Sequence, residues 1–142
     1  MSHICIVVAK FYEDITDELI NGATAAIEAQ KSTYEIVQVP GAFEIPAAVR
    51  IAMESKKYDG YVALGCVIRG ETSHYDYVCG ESARGLNQLA IDHMAAIGYG
   101  ILTVENPEQA WVRAKVSEGN KGKDAVVACM RMIAIKKDMI NG

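Results

Sequence analysis

Residues 65–85, GCVIRGETSHYDYVCGESARG, decide the reading of this chain. They crowd groups capable of chemistry between an apolar run and a helical pattern. Upstream, Tyr61 to Ile68 is nearly all apolar and β-prone, the composition of a strand buried on both faces of a sheet. Arg69 to Ser73 then breaks that run with charge, glycine and hydroxyls. From Tyr75 the apolar positions fall at Tyr75, Cys79, Leu86, Leu89, His93 and Ile97, the spacing of one helical face. The loop therefore joins the carboxyl end of a strand to the amino end of a helix. Open α/β sheets place ligands there, and backbone N–H groups with the helix dipole favour an anion. Thr72 and Ser73 can cap the helix, and Ser73 with Asp76 has the spacing of a capping box, with Asp in place of the preferred Glu or Gln. Capping alone accounts for both hydroxyls as well as ligand binding does.

Working outward, Ile4 to Ala9 reads as a first buried strand, and Asp14 is placed to cap a helix carrying Ile15, Leu19, Ala23 and Ile27 on one face. Tyr34 to Val39 is a second strand. Pro40 and Gly41 turn the chain after it, and Pro46 suits the first position of a helix running to about Ser55. Tyr99 to Val104 makes a fourth strand. Asn106-Pro107 opens a short helix to about Val116, and the loop Ser117 to Lys123 leads to a last helix ending near Met139. The order β-α-β-α-β-α-β-α-α, with crossovers long enough for right-handed parallel connections, predicts an α/β three-layer sandwich around a four-stranded parallel sheet. The last helix contains VVACMRMIAI, apolar around more of its circumference than one sheet face covers. Burial by a second subunit and a broad core helix explain that equally.

The chain has 142 residues, the size of one domain (residues 1–142) with a core that needs no staples. Half of the residues are apolar, and a net charge of -4 with scattered lysines leaves no basic stripe for nucleic acid. The start, Met1-Ser2-His3 running into ICIVVA, has no basic segment or cleavage site of a signal peptide. No apolar stretch approaches the roughly 20 residues of a membrane helix. The expectation is a cytoplasmic protein bound to neither nucleic acid nor membrane. Cys5, Cys66, Cys79 and Cys129 sit inside apolar patterns without the spacing of a zinc or redox pair, and read as reduced core residues. Three scattered histidines make no metal site, and His93, on the apolar helical face, reads as a core histidine.

Several signatures fail letter by letter. GCVIRGE has the glycine spacing of a phosphate loop, but Glu71 stands where lysine is required. Gly80-Glu81-Ser82-Ala83-Arg84 lacks the second glycine of a nucleophile elbow and lies inside the helix, so Ser82 reads as structural. No dinucleotide fingerprint follows the first strand. What remains converges on one rim of the sheet. Phe11 and Phe43 offer faces for a flat ring, although loop packing explains them as readily. Glu44 can accept hydrogen bonds from hydroxyls, or be a solvated loop acid. His74 occupies the first helical turn, where the positive dipole end disfavours the imidazolium and suits the ring to proton exchange near neutral pH.

The segments VPGAFEIP, GCVIRGETSHYDYV, GILTVENPEQA and the run R-A-(x)4-G-N-K-G from Arg113 to Gly122 together resemble the lumazine synthase family, in order and spacing, over nearly the whole chain. The resemblance implies a flavodoxin-like sheet and the condensation of 5-amino-6-(D-ribitylamino)uracil with 3,4-dihydroxy-2-butanone 4-phosphate to 6,7-dimethyl-8-ribityllumazine, without metal or cofactor. It implies that Phe11 stacks on the pyrimidine, that Ala42, Phe43 and Glu44 hold ring and ribityl chain, and that Cys66, Val67 and Ile68 present backbone groups. Glu71 and Thr72 would contact the phosphorylated substrate, and His74 would move protons. Tyr99, Arg113 and Lys121 match positions that the family supplies from the adjacent subunit of a homo-oligomer. An arginine fork suits phosphate.

Tyr12 and Tyr99 depart from residues common in the family, asparagine or a small residue and phenylalanine respectively. At Lys115-Val116-Ser117-Glu118, shell-forming members carry a Gly-Thr-Lys-Ala-like turn, and a lysine in place of that glycine makes such a bend harder. That favours an isolated pentamer over a sixty-subunit shell. Two other classes stay open on the residues alone, a flavodoxin-like flavin binder and a structural shell protein. The first would not need Arg113 and His74 together, and the second would not keep the rim chemistry.

Overall fold

The computed structural model describes residues 1–141; the domain expectation also covered Gly142, which lies outside the described residues. Four parallel strands form one sheet in the order β2-β1-β3-β4. They are β1 (His3–Ala9), β2 (Thr33–Val39), β3 (Gly60–Ile68) and β4 (Ile97–Val104). β1 and β3 are central and almost wholly buried, as their unbroken apolar runs require, whereas β2 is an edge strand that leaves Ile36 and Val37 partly exposed. The fold is a flavodoxin-like three-layer α/β sandwich.

Alternate strand residues serve the two helical layers, because successive side chains point to opposite faces. Ile4, Ile6, Val8, Val62 and Leu64 pack beneath α1 (Glu13–Ala29), α4 (Pro107–Ala114) and α5 (Lys121–Lys136). Cys5, Val7, Tyr61, Ala63 and Ile101 pack beneath α2 (Ile45–Glu54) and α3 (His74–His93). α5 approaches β4 closely because Gly98 has no side chain: a Cβ there would overlap the Ala125 carbonyl. Gly98→Val is therefore expected to destabilise the fold by about 3 kcal/mol, the upper end for overpacking, since backbone cannot swing aside. Urea unfolding monitored by circular dichroism reads this, and an unchanged midpoint would show that α5 can stand off the sheet.

Local capping differs from the sequence expectation. α1 is preceded by Tyr12 as N-cap, with no side-chain cap, and Asp14 lies in its first turn beside Glu13, where both carboxylates face the positive end of the dipole. Ser73 precedes α3 in a helical conformation and its hydroxyl caps nothing, so no capping box forms. The Asp76 carboxylate turns instead to Arg69, 3.5 Å away. Thr72 does part of the expected work by accepting the His74 N–H at 3.3 Å. Asn106 behaves as expected, its Oδ1 accepting from the Gln109 N–H at 2.9 Å with Pro107 just behind.

Two further expectations are corrected. His93 is exposed at the end of α3, because the buried face of that helix consists of Val78, Ser82 and Leu86, and the chain leaves the helix through a left-handed Met94 on its way into β4. Ser82, by contrast, is as expected: it is buried and donates to the Cys79 carbonyl, a structural role. At the α4–α5 turn, Lys115 is extended (φ -55°, ψ 129°), a conformation open to any residue. Its lysine thus carries no backbone strain. The left-handed residue is Asn120 (φ 47°), and Gly119 is the glycine that matters, since a Cβ there would come within 2.8 Å of the Arg113 and Val112 backbone.

Candidate active site

The connection leaving β1 and the one leaving β2 run to opposite faces of the sheet. Between the carboxyl ends of β1 and β3 this opens the crevice expected of such topologies. A cavity of about 590 Å³ lies there, walled by the loops after β1 and β2, the end of β3 and the start of α3. Phe11, Ala42, Phe43, Glu44, Cys66, Val67, Ile68 and His74 all line it. This is most of the set expected from the sequence.

Each wall has a local cause. Phe11 is 72% exposed and Phe43 55% exposed, far more than core aromatics, so loop packing does not explain them. The Phe11 ring is held edge-on by Tyr12, with centroids 5.0 Å apart and planes at 77°. A short 3₁₀ turn, Ala42–Glu44, follows the extended Gly41 and presents Phe43 and Glu44 to the cavity while burying Ala42. The Glu44 carboxylate lies over Gly41, where a Cβ would sit 3.1 Å from its Oε1. Cys66 is buried, and burial pushes its thiol up to about 11, so it stays neutral at physiological pH and offers backbone rather than a nucleophile.

Tyr12 and Val78 also line the cavity, and neither is among the site residues expected from the sequence. Val78 lies four residues after His74 and so shares its helical face, a signal that spacing does contain. For Tyr12 no pattern existed, because its role depends on where Phe11 ends up. Glu71 and Thr72 are exposed on the loop before α3, beside His74 and outside the cavity wall.

Tyr99, Arg113 and Lys121 lie elsewhere. They line a separate cavity of about 220 Å³ against β4, with Gly100, Ile101, Leu102 and Thr103. Arg113 donates from Nη1 to the Gln109 carbonyl at 3.0 Å, and Lys121 pairs with Asp124 at 3.3 Å. Burial raises the Tyr99 phenol above its ordinary value, so it is a neutral wall. One chain thus carries an aromatic half with the histidine and a cationic half that do not converge.

The family model described as 6,7-dimethyl-8-ribityllumazine synthase matches residues 1–137. The chain belongs to the lumazine synthase family. It is 53% identical over 140 residues to 6,7-dimethyl-8-ribityllumazine synthase 1 of Rhizobium meliloti (strain 1021), covering 95% of this chain and 92% of that protein. It is 54% identical over 136 residues to the 6,7-dimethyl-8-ribityllumazine synthase of Bartonella tribocorum, covering 95% and 90%. With the enzyme of that name from Agrobacterium fabrum the identity is 49% over 142 residues, covering 96% of each. Among the described residues no helix is long and apolar enough to cross a membrane.

Proposed function

We propose that the chain, acting as a single cytoplasmic domain, condenses 5-amino-6-(D-ribitylamino)uracil with 3,4-dihydroxy-2-butanone 4-phosphate to 6,7-dimethyl-8-ribityllumazine, a step of riboflavin biosynthesis. The observation that carries this is the match to the family along residues 1–137, together with the cavity that gathers Phe11, Phe43, Glu44 and His74. In this reading the pyrimidine stacks on Phe11, Ala42, Phe43 and Glu44 hold its ring and ribityl hydroxyls, and the backbone of Cys66, Val67 and Ile68 pairs with its edge. The pyrimidine amine attacks the ketone carbonyl and water leaves, giving an imine. Loss of phosphate and ring closure with loss of a second water complete the product. Glu71 and Thr72, at the amino end of α3, meet the phosphorylated substrate, and the dipole there favours its anion.

Imine formation is facile in solution, so holding two substrates together is the main task, worth up to about 7–11 kcal/mol in well-oriented cases. His74 relays protons between amine, carbinol and leaving groups. His74→Ala is expected to lower kcat by one to two orders of magnitude, less than the usual ~10²- to 10⁴-fold for acid–base residues, because positioning survives. Stopped-flow traces would read this, and complete loss of turnover in a folded variant would show that proximity is not the main term.

The separation of the two cavities supports sites shared between adjacent subunits, one giving His74 and the next giving Tyr99, Arg113 and Lys121. Val127 and Met132 on the outer side of α5 remain exposed in the single chain, as a surface covered by another copy would. The assembly proposed is a homopentamer rather than a sixty-subunit shell. Its support is the pair of Lys115 and Glu118, 3.8 Å apart, at the two positions where the turn of shell-forming members has glycine and alanine. Mixing the purified chain with both substrates and scanning for the lumazine product tests the activity. Ligand binding without product would favour a flavin-binding protein instead. Light scattering tests the assembly, with a mass five times that of the chain expected.

A further inference from the structure

Arg69 is the charged residue at the tip of β3, and the catalytic assignments above leave it unused. Its backbone N–H donates to the Val104 carbonyl at 2.9 Å, extending the β3–β4 ladder by one rung. Its side chain then spans three segments. Nε donates to Glu105 Oε2 at 2.8 Å, Nη2 lies 3.5 Å from Asp76 Oδ1, and the guanidinium stacks over the Tyr75 ring at 4.3 Å. Glu105 is itself fixed, its N–H donating to Gln109 Oε1 at 2.8 Å at the head of α4. The first turn of α3, which carries His74, is therefore tied to β4 and α4 through one planar fork. Side-chain capping does not make that tie, since the Ser73 hydroxyl caps nothing and Thr72 reaches only the His74 N–H within the same loop. A Cβ added at the adjoining Gly70 would meet nothing within 4 Å, so the loop has little other packing to hold it.

We propose that Arg69 is a positioning residue: its bridge from Glu105 to Asp76 and Tyr75 sets where the loop 70–73 and His74 stand over the substrate cavity. The proposal rests on the lumazine synthase reading. Both of the Arg69 pairs are half-exposed, and ion pairs of that kind contribute little to stability. A planar fork that meets two carboxylates and stacks on an aromatic ring supplies geometry instead, which lysine cannot copy. Direct phosphate binding by Arg69 is the competing role, but its fork already faces Glu105 and Asp76.

The test compares Arg69→Gln, Arg69→Lys, Glu105→Gln and the Arg69→Gln/Glu105→Gln double variant in the assembled protein. The measurements are kcat, both KM values and thermal midpoint. Arg69→Gln and Glu105→Gln should each lower kcat about tenfold, since small misplacements are costly in such sites. The double variant should be no worse than Arg69→Gln alone. Arg69→Lys should recover only part of the loss, and the KM for the pyrimidine and the thermal midpoint should stay near the parent's. A kcat within twofold of the parent in Arg69→Gln would overturn the proposal. So would additive losses, a collapse of the thermal midpoint in Arg69→Lys as well as Arg69→Gln, or a rise confined to the KM of the phosphorylated ketone with Glu105→Gln unaffected. An inactive parent would instead overturn the functional reading itself.

Discussion

Arg113→Ala is expected to lower kcat/KM for the phosphorylated butanone by about two orders of magnitude, through KM, while the KM for the pyrimidine changes little. The guanidinium is exposed in the single chain and, among the described residues, bonds to the Gln109 carbonyl through Nη1, which leaves the rest of its fork to meet a dianion. Hydrogen bonds to charged groups are worth about 1.5–3 kcal/mol each, and about 1.4 kcal/mol is a factor of ten. Losing a bidentate contact therefore gives the stated magnitude, and its confinement to one substrate follows from where that substrate carries charge. Steady-state kinetics with each substrate varied in turn provides the check. Equal rises in both KM values would mean that Arg113 supports an interface rather than the phosphate.

Mixed rings should regain activity that neither parent variant has. If one subunit provides His74 and its neighbour Arg113, His74→Ala and Arg113→Ala chains unfolded together and reassembled in equal amounts place an intact His74 opposite an intact Arg113 at about a quarter of interfaces. Assayed with the phosphorylated butanone no higher than the wild-type KM, where both parents are slow, the mixture should then reach roughly a quarter of the wild-type rate, several-fold or more above the mean of its parents. The motivation is geometric, since the two residues line different cavities of one chain. Were both residues to serve one site within a single chain, no mixed ring would contain a complete site. Unchanged activity after verified subunit exchange would end the shared-site proposal.

The strands were readable because β1 and β3 are buried on both faces, so their apolar runs carry no competing demand. Asn106-Pro107 was readable for a similar reason: the cap and the proline act on their own neighbours. Asp14, Ser73 and His93 misled because local spacing alone does not decide their roles. The Asp76 carboxylate, expected to complete a box with Ser73, is drawn to an arginine seven residues away. His93 has the right helical phase, but it is the last residue of α3 and exposed, one turn beyond Leu89, the last side chain of that helix packed on the core. The exposure of Phe11 and Phe43, which argues against burial in loop packing, could not be read from their neighbours at all.

The sequence by itself determined the element order, the parallel sheet and the family, because periodicity, punctuation and motif spacing act over a few residues and survive in one dimension. Only the tertiary structure decided that Tyr12 braces Phe11, that Lys115 bears no strain, that Arg69 ties α3 to β4 and α4, and that the cationic residues lie apart from the aromatic ones. Those facts depend on which segments meet after the β1, β3 and β4 ends are brought side by side. Such meetings are set by packing between residues far apart in the chain, which no local pattern records.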